Sequence, residues 1–196
     1  SKIKYIASFG PTCNFRGVLA EDKIAYAPME CVKQGYYEER DAVYQELPRS
    51  LTPFQRGDII MAKVTPCFEN GNIAILDKLS YRVGLGSSEL FVFRSKKIVA
   101  KYLFYWLQNH AFMERACATM TGAGGLKRVS SSFCKNCEIH LPPRFEQQAI
   151  ADYLDAKCSE IDHVIAQKQE QLSTLADYKK SLIYEYVTGK KEVPAS

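Results

Sequence analysis

No run of apolar residues approaches the roughly 18 that a membrane span needs, so no membrane-spanning helix is expected. The N-terminus has no apolar run ending in a small-residue cleavage site, and no signal peptide is read there. Histidine is scarce, at positions 110, 140 and 163, and offers no ligand pair for a structural zinc. The chain contains no GxSxG, P-loop, HExxH or GxGxxG string, which removes the usual fingerprints of hydrolase, nucleotide and metalloprotease sites. It also lacks the Asn/Asp-Pro-Pro-aromatic motif of an amino-methyltransferase; its one Pro-Pro is Pro142-Pro143. There is no internal repeat and no low-complexity segment. Glycine and proline are absent from Arg144 to Thr188.

The 196 residues are 46% hydrophobic and 24% charged, which suits one domain with a core plus an extension and argues against disorder. The seven cysteines are odd in number and irregular in spacing, unlike a disulfide framework. They read as reduced thiols of a cytoplasmic protein. Charge is unevenly spread. Residues 144–196 carry 7 Lys and Arg against 9 Asp and Glu, while residues 1–143 carry 19 against 13. The basic first part fits a polyanion partner or a lysine-rich solvated surface.

The first part reads as mixed strand and helix, an α+β pattern. Lys2–Ala7 and Lys23–Met29 are strand-like. Asp58–Val64 is a stronger strand, stopped by Thr65-Pro66, and Asn72–Leu76 returns from it through the tight-turn dipeptide Asn70-Gly71. Leu90–Arg94 is a further strand. From Val99 apolar residues recur every third or fourth position, which predicts one amphipathic helix to about Cys117. A loop then runs through Thr121-Gly-Ala-Gly-Gly125 to Val129, and Glu138–Leu141 is a last short strand. Pro142-Pro143 divides the chain into a domain of residues 1–143 and a long helix in residues 144–196.

Two interleaved heptad series run along that helix. One is Leu154, Ile161, Lys168, Leu175 and Leu182; the other is Ala151, Cys158, Ile165, Leu172, Lys179 and Tyr186. Their alternation is that of a coiled-coil seam, with Lys168 and Lys179 as register-setting exceptions. About 45 residues at 1.5 Å rise span roughly 65 Å, longer than a small domain is wide. The stripe therefore needs a partner helix, and Leu154, Ile161, Ile165, Leu172, Leu175, Leu182 and Tyr186 are the expected interface.

Chemistry is sparse. Cys134-Lys-Asn-Cys137 is the one CxxC; it lacks a second ligand pair and a thioredoxin-like context, and reads as two buried thiols. Two polar loops suit binding. Lys63–Gly71 places a cation, a hydroxyl and an amide around a turn. Thr121–Ser130 joins a glycine segment to Lys127, Arg128 and hydroxyl residues. Lys, Arg, hydroxyls and backbone N–H groups are what phosphate contacts use, and amides on loops also read base edges. The DNA-facing candidates are Lys63, Thr65, Asn70, Thr121, Lys127, Arg128 and Ser130.

The blocks Gly57–Gly71, Gly86–Val92 and Met120–Ser130 occur in order, followed by Leu141-Pro-Pro, Glu146–Ile150 and Val187-Thr-Gly-Lys190. Together they closely resemble the DNA-specificity subunit of type I restriction-modification systems. That resemblance implies a target-recognition domain followed by a conserved long helix, usually twice per subunit. Each domain reads one half of a bipartite double-stranded DNA target. The helices space the domains and dock methyltransferase subunits, with restriction subunits joining the assembly. The subunit is expected to be non-catalytic, with S-adenosylmethionine, ATP and magnesium acting on partner subunits. One unit implies either a half-subunit that dimerises through its helix or one half of a longer chain; the start at Ser1-Lys-Ile-Lys-Tyr5 favours a piece. Family-unlike residues in Gln34–Pro53 are candidates to touch bases. The competing readings are a helix-mediated scaffold or adaptor and a stand-alone nucleotide- or zinc-dependent hydrolase.

Overall fold

The computed structural model describes residues 1–193. The chain divides into two compact units, Ser1–Ala151 and Asp152–Ser196. In the first unit, helix α1 (Ile3–Ile6) leads into β1 (Ala7–Phe9), β2 (Lys23–Ala27), β3 (Asp41–Val43), β4 (Thr52–Gln55), β5 (Ile59–Ala62) and β6 (Ile73–Ile75). Next come β7 (Val83–Gly86), β8 (Leu90–Ser95), α2 (Ala100–Trp106) and α3 (His110–Ala118). Then follow β9 (Thr121–Ala123), β10 (Leu126–Arg128) and α4 (Ser131–Asn136). Helix α5 (Arg144–Val187) begins in the first unit and makes up most of the second.

Two four-stranded sheets form the first unit. One is antiparallel, in the order β1-β8-β5-β6. The other, β3-β2-β7-β4, is mixed, with β2 and β7 parallel and the outer pairs antiparallel. The α+β class and mixed or antiparallel pairing match the expectation.

Strand alternation explains the layering. On β5, Ile59 and Met61 join the core shared with the helices, while Ile60 joins the core shared with the second sheet. On β8, Phe91 and Phe93 face the first core, and Leu90 and Val92 the second. A strand covered on both faces carries apolar residues at both parities. Phe54 reaches the second core because Gly84 on β7 has no side chain; a methyl group there would collide with the Phe54 ring.

Three local expectations are corrected. Lys2–Ala7 is a turn of helix followed by a short strand, and Ile3 and Ile6 are buried three residues apart on one side of that turn. The single helix from Val99 to Cys117 is two. It breaks at Gln108-Asn109, where the Asn109 carboxamide accepts from Phe112 N–H at 2.9 Å and caps α3. Glu138–Leu141 makes only one bridge, Lys2 with Glu138, and α4 precedes it. Cys134 and Cys137 are both buried, at the end of α4, as two thiols in the core.

The sequence puts the domain boundary at Pro143, whereas the packing puts it eight residues on. Gln147, on the first turn of α5, is buried. Its Oε1 accepts from Val99 N–H at 2.9 Å and its Nε2 donates to the Pro142 carbonyl at 2.8 Å. Ala151 is buried one turn later. These contacts count the helix start with the globular unit.

One ion pair sits inside the apolar layers. Asp58, fully buried ahead of β5, accepts two hydrogen bonds from the Arg94 guanidinium on β8 at 2.7 and 2.8 Å. It also accepts from Gln55 N–H at 2.9 Å. Arg94 in turn donates to the Thr12 carbonyl and to Cys13 Sγ. Removing Asp58 leaves the Arg94 guanidinium without its carboxylate, and because a quarter of that side chain is exposed the cost is about 1–3 kcal/mol. Asp58→Ala is therefore expected to lower unfolding stability by that amount in a denaturant titration; a loss below about 1 kcal/mol would refute the pairing as a structural anchor.

Candidate nucleic-acid interface

The Thr121–Val129 segment, expected as a loop, is a two-stranded ribbon. β9 and β10 pair antiparallel, and Ala123 opposite Leu126 closes a two-residue turn at Gly124-Gly125. Both turn glycines have positive φ, 62° and 81°, as a tight hairpin of this hand requires. Gly122 opposes Lys127, and a methyl group at Gly122 would strike the Leu126 carbonyl. Every ribbon residue is exposed.

The ribbon is clamped at its base. Val64 bridges Arg128, Thr65 N–H donates to the Lys127 carbonyl at 3.0 Å, and Val129 N–H donates to the Lys63 carbonyl at 2.8 Å. The Thr65 hydroxyl donates to the Gly125 carbonyl at 2.7 Å and accepts from Lys127 N–H at 3.0 Å. Glu89 accepts two bonds from the Arg128 guanidinium at 2.8 and 2.9 Å, and its own carbonyl accepts from Lys63 N–H. Arg128 beside it, and then Lys63, hold the Glu89 carboxyl below its ordinary value.

Six of the seven DNA-facing candidates therefore converge. Lys63, Thr65, Thr121, Lys127, Arg128 and Ser130 lie on the ribbon or at its base, though their side chains differ in freedom. The Thr65 hydroxyl is committed to the clamp. The Arg128 guanidinium is forked onto Glu89. Ser130 caps α4 by accepting from Phe133 N–H at 3.3 Å. Lys63 lies half-buried, with Nζ 5.8 Å from the Phe91 ring centre. Lys127 is exposed and has no ion pair among the described residues. Asn70 stands apart, exposed at the far end of the Pro66–Gly71 turn. The signal for the Glu89 clamp lay in the Ser-Ser-Glu block at 87–89, which sequence reasoning matched without assigning Glu89 a role.

On α5, from Ser159 to Ser181 every residue is exposed. Ile161, Ile165, Leu172, Leu175 and Tyr186 are 57, 47, 67, 62 and 36% exposed, and Leu154 and Leu182 are half-buried. The apolar series is thus present on a helix that leaves it open.

Residues 44–174 match the family described as the Type I restriction modification DNA specificity domain. The chain belongs to this family. It is 32% identical over 168 residues to the type I restriction enzyme EcoEI specificity subunit of Escherichia coli, covering 83% of this chain and 28% of that one. It is 36% identical over 135 residues to the EcoAI specificity subunit of the same organism, covering 66% and 23%. The crystal structure of an HsdS subunit from Thermoanaerobacter tengcongensis superposes with a TM-score of 0.69 at 18% identity, over 99% of this chain and 50% of that one. That likeness is one of fold. The chain spans about a quarter of the length of the curated relatives it matches.

The clamp has a pH signature. A carboxyl whose folded pKa is depressed contributes its stability above the unfolded value and loses it as acid protonates the folded form. Amide-exchange protection of Lys127 and Val129, corrected for intrinsic rates, should hold from neutral pH to the ordinary value of 4.5 and decline below it. Glu89→Gln should lower that protection already at neutral pH. A profile identical in the variant would discount the Glu89–Arg128 pair.

Proposed function

We propose that this chain is one DNA-recognition unit of a type I specificity subunit. Membership of the DNA specificity domain family over residues 44–174 carries the reading. The globular unit reads one half of a bipartite double-stranded target, and α5 spaces it from a second recognition unit. Methyltransferase subunits dock on that helix, and restriction subunits join them. In this reading the chain is non-catalytic and cytoplasmic; S-adenosylmethionine, ATP and magnesium act on its partners.

The ribbon supports phosphate contact. Lys127 and Lys63 supply cations and Thr121 a hydroxyl. Thr65, Arg128 and Ser130 act by holding the ribbon in place, since their side chains are engaged within the protein. A lysine on phosphate weakens all duplexes alike when removed. Lys127→Ala in the assembled methyltransferase complex should weaken cognate and non-cognate binding together and reduce the salt dependence of log Kd by about one unit. An unchanged salt slope would remove Lys127 from the interface.

The open stripe supports the helix partner, either a second recognition unit or a second copy of this chain. Replacing Leu172 and Leu175 together by Asp places two charges where the seam needs apolar side chains. The pair should abolish helix-mediated association in light scattering of the complex. Unaltered assembly would move the interface elsewhere.

A further inference from the structure

A concavity of about 320 Å³ opens beside the Pro66–Gly71 turn, floored by Met61, Phe68, Ile73 and Leu107. Its wall carries the amides Gln34, Asn70 and Asn72. A second hollow, of about 280 Å³, shares those three residues and adds Lys33 and Tyr36.

The backbone under these amides is pinned. Ile73 N–H donates to the Lys33 carbonyl at 3.0 Å and Gly35 N–H to the Ile73 carbonyl at 2.9 Å, which ties the Gln34 segment to the start of β6. Asn72 N–H donates to the Cys67 carbonyl and Asn70 N–H to the Pro66 carbonyl, at 3.0 and 2.9 Å. The side chains are free. Among the described residues, the carboxamides of Gln34, Asn70 and Asn72 have no hydrogen-bond partner in the protein. All the other asparagines of the unit are bonded, Asn14, Asn109 and Asn136, as are both ends of Gln147. Among the described residues the carboxamides of Gln45 and Gln55 are also unbonded, but no second free amide stands beside either as Asn70 and Asn72 stand beside Gln34. Gln108, on the same concavity, donates to the Phe104 carbonyl.

Local charge separates this patch from the ribbon. Lys33 lies 3.7 Å from Glu38, and Glu69 is exposed on the turn itself, so the patch has no surplus of cations to attract phosphate. It offers paired donors and acceptors on a rigid frame, beside the 56% exposed ring of Tyr36. A carboxamide presents a donor and an acceptor side by side, which matches N7 and N6 of adenine in the major groove. One turn joins both features, with Thr65 clamping the ribbon at one end and Asn70 on the concavity at the other.

We propose that Gln34, Asn70 and Asn72 form the base-reading patch of this unit, addressing a major-groove step that contains adenine. This rests on the DNA-recognition reading above. The test expresses the full specificity polypeptide with its methyltransferase subunit in a host lacking other adenine methylation, and reads every methylated motif by single-molecule sequencing. Gln34→Ala and Asn70→Ala are compared with the isosteric Gln34→Glu and Asn70→Asp, which keep shape and lose a donor. The expected result is relaxed or altered bases in one half of the motif, with the other half unchanged. Discrimination at those bases should fall about ten- to a hundredfold. An unchanged motif in all four variants overturns the proposal, as does a uniform loss of methylation at every site with the motif intact. Absence of any motif with the wild-type chain would instead overturn the DNA-recognition reading itself.

Discussion

β5 and β8 are buried on both faces, and the placement of the candidate interface follows from that constraint. A strand covered on both sides has no solvent face of its own, so its polar work passes to the segments that leave it. β5 ends at Ala62, and the chain emerges through Lys63, Val64 and Thr65. Those residues hold the ribbon through backbone bonds, and the turn after them carries Asn70. A two-residue turn and two three-residue strands are too small to be stable alone in water. The ribbon is ordered because the segment leaving β5 supplies its third edge, at the isolated Val64–Arg128 bridge.

The Asp58–Arg94 pair serves the same strands at their other end. Ile59 lies opposite Phe93 in the ladder, which sets Asp58 beside Arg94 one residue further out. The guanidinium also gathers Thr12 and Cys13, so a loop preceding β2 is tied to the sheet by a side chain rather than by pairing. Ribbon and ion pair thus stand at the two exits of one rigid layer. That arrangement gives the ribbon and the Pro66–Gly71 turn a fixed reference.

Legibility in the sequence followed the range of the interactions. The β5–β6 hairpin could be read because alternation and the Asn70-Gly71 turn are local. The long helix could be read because 44 residues hold one period. The second sheet was largely hidden: β7 reads Val-Gly-Leu-Gly, and its glycines answer to Phe54, some thirty residues earlier in the chain. β4 contains Pro53, which fits only because β4 is an edge strand. The break at Gln108-Asn109 was masked by apolar spacing that carries across it. At the candidate site, residue types pointed to two loops that the fold brings together, but which side chains were already spent on the fold was set by partners distant in sequence, such as Glu89 for Arg128.

The helix poses a different energetic problem from the globular unit. Beyond Ala151 its local support is small: the exposed pairs Lys157–Glu160 and Asp177–Lys180 contribute a few tenths of a kcal/mol each at most. Helical order over such a length comes mainly from burying an apolar face, since propensity alone leaves helices marginal. With Ile161, Ile165, Leu172 and Leu175 all open to solvent, the stripe gains most when another helix covers it. Helix order and helix pairing are then one equilibrium. The globular unit secures only the first two turns of α5, through Gln147 and Ala151.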